Sequence, residues 1–286
     1  MFVTGMRPIC RIALAGFVAL ASCKREQPRA APPPSPAPSV TRDDVVVLVN
    51  GKEVAKLTSG AVDKYPRLDT LLPQDAQRLG TWAEITTVTA DPSAVPSAIK
   101  SPAQAYPDLV PVLFPGADGP AFGMFDPVEL AKRGSAKVSH TKIREVRVTL
   151  LADGMRGQND HQGGGIQDPT QLKIQISSTQ GQKVLTGPEL LAMPRVAQPD
   201  GGDHQGWDLV AVLDALGLGT WAEVALADAD GVSATVARKD LGADKGAAFL
   251  KLNRSGAIRF RVYTKTGTGW ATGADVRGLA SIKILK

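Results

Sequence analysis

The stretch Leu79-Gly80-Thr81-Trp82-Ala83-Glu84-Ile85 returns later in the chain as Leu218-Gly219-Thr220-Trp221-Ala222-Glu223-Val224, with six of seven residues unchanged. A match of that length that includes a tryptophan marks an internal repeat. The flanks agree. Upstream, Gly51-Lys52-Glu53-Val54 matches Gly181-Gln182-Lys183-Val184. Downstream, Arg144-Glu145-Val146-Arg147-Val148 resembles the run from Arg277 to Leu285. The chain therefore reads as two related α+β halves, 43–152 and 171–286, joined by a Gly-rich linker at 153–170. Each half is long enough to bury a core of its own.

Local patterns fill in the halves. Val45-Val46-Val47-Leu48-Val49 is a β-branched run closed by Asn50-Gly51, which predicts a strand, a tight turn and a return strand. Thr58 is placed to cap a short helix that stops before Pro66, and Leu68, Leu71 and Leu72 predict a second one. Further strands are expected at 85–89, 110–114, 121–126 and 142–151, with irregular chain across the rest of 91–120. In the second half, Leu172, Ile174 and Ile176 alternate as a strand does. Thr186, Pro188 and Glu189 form a helix-start signature that Pro194 ends, and 207–218 reads as the next helix. Strands follow at 224–227, 232–237, 259–263 and 280–285.

Ahead of the halves lies a leader. Residues 1–22 carry Arg7 and Arg11 and then an apolar run at 12–21, too short for an ordinary spanning helix. The run ends in Leu20-Ala21-Ser22-Cys23, which resembles the lipobox of bacterial lipoproteins. That resemblance implies a signal peptide, lipidation of Cys23 and a membrane anchor stabilised by two or more acyl chains. Lys24 stands where the family's inner-membrane retention signal has Asp, so the outer membrane is favoured over the inner. Residues 23–42 follow as anchor and linker, with six prolines from Pro28 to Pro38. Such a spacer extends about 3.1 Å per residue in polyproline II form.

Composition narrows the function. Two of the 33 basic residues lie in the leader, which leaves only a small surplus over 28 acids, and no Lys/Arg stripe supports a nucleic-acid partner. The two cysteines, Cys10 and Cys23, both fall in or beside the leader, so the halves have no disulfide, thiolate ligand or cysteine nucleophile.

From Thr58 to Trp82 is 24 positions, against 35 from Thr186 to Trp221. The second half thus carries about eleven extra residues, among them the polar run from Pro199 to Trp207. An inserted loop on a repeated scaffold is where binding is commonly added. We therefore take Asp203, His204 and Trp207, with Asp230 in the Asp-Gly turn, as candidate ligand-binding residues. Leu185-Thr186, Glu189-Leu190-Leu191-Ala192-Met193-Pro194, Trp207 with Leu213 and Leu216, and Asp230-Gly231 occur in an order that resembles the molybdopterin-binding oxidoreductase domain of the sulfite oxidase type. The resemblance covers most of 171–286 and, more faintly, 45–150. It implies mixed-sheet α+β domains and a molybdopterin cofactor whose molybdenum is held by a cysteine before the Trp. This chain has no cysteine there, which removes the Mo ligand.

Other chemistry is sparse. Asp160-His161-Gln162-Gly163 and Asp203-His204-Gln205-Gly206 share a string, so Asp160, His161, Asp203 and His204 would suit a borderline metal if the loops met. No Gly-x-Ser-x-Gly elbow is present, and the Gly-rich linker lacks a P-loop ending. Glu84 and Glu223 occupy equivalent repeat positions, which fits a structural task. Trp82 and Trp221 read as core anchors. Trp207 and Trp270 are the aromatic candidates for a groove, and His140 reads as a surface residue. No catalytic residue is assigned. The expectation is a membrane-anchored lipoprotein of the cell envelope that binds an unknown envelope protein or small ligand without catalysis. The alternative is a divergent molybdopterin- or metal-binding oxidoreductase-type protein.

Overall fold

The computed structural model describes residues 44–152, 166–202 and 204–285. Cys23, Asp160, His161 and Asp203 lie outside them, as does most of the Gly-rich linker. Both copies of the repeated heptapeptide lead into a strand of a five-stranded sheet. They bury equivalent positions: Leu79 and Leu218, Trp82 and Trp221, Ile85 and Val224 are each 5% exposed or less. Both tryptophans are core anchors. Trp82 Nε1 donates to the Ala76 carbonyl at 2.6 Å, whereas the Trp221 ring lies under the Arg238 guanidinium at 5.1 Å.

The first half begins with β1 (Val45–Val49) and β2 (Lys52–Leu57). Asn50 and Gly51 between them take φ 48° and 80°, the left-handed pair that a two-residue hairpin demands. Short helices α1 (Ser59–Val62) and α2 (Leu68–Leu71) lead to β3 (Trp82–Thr89). β4 (Ser97–Lys100), α3 (Pro102–Ala105), β5 (Val110–Gly116) and β6 (Gly119–Phe125) come next. α4 (Pro127–Ala131), β7 (Val138–His140) and β8 (Ile143–Leu150) close the half. The second half runs β9 (Lys173–Ser178), β10 (Gly181–Thr186), α5 (Gly187–Ala192), β11 (Val196–Ala197) and β12 (Gln205–Asp208). It continues through α6 (Leu209–Ala215), β13 (Glu223–Asp228), β14 (Ser233–Ala237) and β15 (Gly246–Leu252). β16 (Ile258–Thr266), β17 (Gly269–Arg277) and β18 (Leu279–Ile284) end it.

One sheet has the order β2-β1-β8-β3-β4 and another β10-β9-β18-β13-β14. The pairing sense also repeats, with one parallel pair in each, β1 with β8 and β9 with β18. Even the register coincides. Val146 lies between Val47 and Thr87, and Ile282 lies between Ile176 and Leu226. The architecture is therefore α+β with mixed sheets. The remaining sheets differ between the halves. The first has the three-stranded meander β5-β6-β7, the second the five-stranded β11-β12-β15-β16-β17. Where β12 pairs with β15, the first half has a single bridge, Arg67 to Val112. The extra residues of the second half thus lengthen a sheet edge.

Three sequence expectations need correction. The helix expected over 207–218 begins only at Leu209, because Asp208 caps it by accepting from Ala211 N at 2.9 Å and Trp207 belongs to a strand. The Pro-rich stretch 91–120 holds β4 and α3 as well as β5. His140 is half-buried, not a surface residue, and its Nδ1 lies 2.7 Å from Thr87 Oγ1. Thr186 does cap α5, and Glu189 completes the reciprocal box.

The Thr87–His140 pair fills the place that Leu226 fills in the other half. Burial pushes the His140 pKa below its ordinary 6.5. The folded state therefore binds fewer protons here than the unfolded chain. Its contribution to stability is full above about pH 6.5 and is lost as pH falls toward the lower folded value. We expect the urea midpoint to drop between pH 7 and pH 5, and His140→Gln, which keeps a partner for Thr87, to shrink that drop. An unchanged difference in the variant would place the sensitivity elsewhere.

The described residues cluster as one compact unit. The main core of the second half includes Val128 from α4, and Ala131 packs against it. The first half has its own core around Trp82 and Ile85 and a smaller aromatic cluster of Val110, Val112 and Phe125, with Tyr65 and Phe114 against it.

Candidate functional site

The seam between the halves gathers the polar residues that neither core absorbs. Arg195 follows the Met193-Pro194 stop of α5. Its Nη1 donates to Asp126 at 2.9 Å and its Nη2 to Glu129 at 2.6 Å. Asp126 also caps α4, accepting from the Val128 and Glu129 amides. A single carboxylate thus fixes a helix of one half and holds an arginine of the other. Arg67 forms a bidentate pair with buried Asp69, at 3.0 and 2.6 Å, and its remaining Nη1 donates to the Arg254 carbonyl at 2.8 Å.

The third cross-seam contact uses His204. Its Nε2 lies 2.7 Å from Asp108 Oδ2, and Lys251 Nζ donates to the same oxygen at 2.8 Å. Burial pushes the Asp108 carboxyl up, but the bond from His204 and the charge and bond of Lys251 reverse this, leaving it well below the usual carboxylate range. Burial also lowers the Lys251 pKa, with Asp108 opposing and the charges of Arg261 and Arg259 adding to the fall. Further along this sheet face, Asp275 holds Arg259 through both oxygens.

The sequence candidates scatter. Trp207 is 1% exposed, and its indole N–H is met by the Met193 carbonyl at 3.3 Å, so it is a core residue and offers a ligand no face. Asp230 sits in an exposed turn, its amide bound to Asp228 Oδ1. His204 is spent on Asp108. Trp270 is half-buried, with Lys265 Nζ 4.7 Å above its ring. Glu84 accepts from Thr86 Oγ1, a local structural bond, and Glu223 is exposed. Among the described residues no three His, Cys, Asp or Glu side chains group as a metal site.

The molybdopterin expectation lacks its ligand. With no cysteine in either half, the residues present do not fit a thiolate-held molybdenum.

What the seam does provide is a cleft of about 390 Å³, walled by both halves. Lys64, Tyr65, Arg67 and Arg133 come from the first half, Asp168 from the end of the linker and Arg254 from the second half. Val110, Pro127, Leu130, Ile166 and Pro169 supply apolar wall. Its volume is in the range of small-molecule sites. The chain matches no known protein-family model, and a search of curated proteins finds no match.

Sequence reading missed Asp108, Arg133, Arg195 and Lys251 because each stands alone in the chain and belongs to no motif. The one available signal was Asp126-Pro127 with Glu129, a helix-start pattern whose acids also face the other half.

Proposed function

We propose that this protein is a lipid-anchored lipoprotein of the bacterial envelope, favoured at the outer membrane, that acts as a non-catalytic binding module. In this reading, both halves descend from one sulfite-oxidase-like scaffold that has lost the means to hold molybdenum. The cleft between them is the binding site. That cleft is the observation that carries the reading: both halves wall it, and the Arg67 hydrogen bond to the Arg254 carbonyl joins its two sides. The lipobox-like Leu20-Ala21-Ser22-Cys23 and the Pro-rich spacer support the anchoring. About 19 extended residues would let the folded unit reach roughly 60 Å from the bilayer. Among the described residues, no helix is long and apolar enough to cross a membrane, and a Cys23 lipid would serve as the anchor.

The test is fractionation of the full-length chain in a bacterial host, with palmitate labelling and with molybdenum and pterin assayed on the purified protein. We expect labelled, membrane-bound protein without either cofactor, and Cys23→Ala to lose the label and leave the membrane fraction. Unlabelled, soluble wild-type protein would refute the anchoring. One equivalent of molybdenum or pterin would refute the non-catalytic scaffold.

A further inference from the structure

We infer that the seam cleft takes a small organic anion, a carboxylate or phosphoryl group carried on an apolar body. This rests on the reading of the cleft as the binding site and adds the class of its ligand.

Size comes first. A volume of about 390 Å³ is far more than a bare ion fills, and it lies at the small-molecule end of pocket sizes. The cations come next, and they are not equivalent. Arg67 is consumed by Asp69 and the Arg254 carbonyl. Lys64 and Arg133 are exposed, and among the described residues no carboxylate pairs with either. The one acid lining the cleft, Asp168, already accepts from the Thr170 amide and hydroxyl at 2.9 and 2.8 Å. Those bonds leave its charge in place, but Lys64 and Arg133 outnumber it, so positive charge is in surplus around the space and an anionic group satisfies it.

The backbone supports the same conclusion. Tyr65 and Arg133 have φ of 55° and 52°, a left-handed conformation that costs a non-glycine residue about 1–2 kcal/mol. Both follow short helices, and both line this one cleft. Their conformation sets the Arg133 guanidinium 5.3 Å from the centre of the Tyr65 ring. That ring is itself held by Phe114, stacked at 6.0 Å, and by the edge of Phe125 at 6.2 Å. A guanidinium supported on a fixed ring loses little freedom when it meets a carboxylate or phosphoryl group. The apolar body then rests on Leu130, Ile166 and Pro169.

The test uses full-length protein in a neutral detergent and fluorine NMR of four solutions. These contain 4-fluorobenzoate, 4-fluorophenylphosphonate, the neutral 4-fluorobenzamide, and inorganic phosphate as competitor. We expect saturable binding of at least one of the two organic anions, with the amide about tenfold weaker or worse and phosphate a poor competitor. Arg133→Gly should weaken the anion about tenfold. Glycine accepts φ 52° without strain, so this variant should melt no lower than wild type, which separates lost binding from lost fold. Lys64→Gln should weaken it a few-fold and flatten its salt dependence.

Equal binding of the amide, unchanged affinity in both variants, or no saturable binding at all would each overturn the inference. Phosphate competing as well as the organic anions would overturn the apolar part of it. An absence of anion binding in protein that is still Cys23-anchored and cofactor-free would leave the tethered binding module standing with a different ligand. Molybdenum or pterin in the same preparation would remove the underlying reading instead.

Discussion

Asp108→Ala should lower the unfolding free energy by about 3 kcal/mol, which for a folded unit of this size moves the melting temperature by roughly 6–12 °C. The argument starts from one oxygen. Asp108 Oδ2 receives both His204 and Lys251. The Lys251 side chain is only 12% exposed, and Arg259 and Arg261 disfavour its charge further. Without Asp108, a poorly hydrated ammonium is left facing two guanidiniums. Removing one partner of a buried pair costs about 3–5 kcal/mol, and the partial exposure of Asp108 reduces that toward the lower end. A second variant checks the cause. Adding Lys251→Met to Asp108→Ala removes the stranded charge and should recover more than half of the loss. A single-variant loss below about 1 kcal/mol, or no recovery in the double variant, would show that the cluster does not hold the seam. The pH dependence has a definite sign. Because the folded carboxyl lies below its ordinary value of 3.8, its contribution is full above that value and is lost as pH falls through the lower folded one.

Gly206→Ala should be at least as damaging, on the order of 3 kcal/mol or more by urea denaturation. A methyl there meets the Leu250 carbonyl oxygen at 2.1 Å and the Phe249 ring at 2.6 Å. The first of these is backbone and cannot rotate away. To relieve the clash β12 must leave β15, and Trp207 and the adjoining His204 go with it. Loss of near-ultraviolet Trp signal and of the Asp108 coupling should therefore accompany the loss of stability. Gly206→Ala with a wild-type midpoint would mean that β12 is not seated against β15 as described.

Much of the fold was legible because the sequence states it twice. The Leu-Gly-Thr-Trp-Ala-Glu strings align β3 with β13, and the surrounding β-branched runs align most of the two repeated sheets. Two of the strands that escaped notice lack the usual pattern. β17 contains Gly269 and Gly273 and buries only Val276. β4 is four residues long and buries only Ile99. Trp207 was misassigned for a related reason: Leu209, Val212, Leu213 and Leu216 have helical spacing, and the periodicity alone does not say where the cap falls. The candidate site was far less legible. Arg133 and Tyr65 are 68 positions apart, and neither has a local partner that marks it. Their meeting depends on two left-handed residues at helix ends, and no propensity rule anticipates left-handed Tyr or Arg.

The inserted segment was expected to carry ligand-binding residues. Its described polar ends, Arg195 and His204, instead reach Asp126, Glu129 and Asp108 of the first half. That use has a consequence for assembly. A repeat that joins its neighbour through features present in every copy can be extended without limit, as solenoids are. Here the arginine and histidine belong to the later copy alone, and the acids that receive them belong to the earlier one. The junction is heterologous and is used up after a single step. The same asymmetry that makes the two halves unequal therefore gives the pair one cleft with a fixed and unrepeated lining.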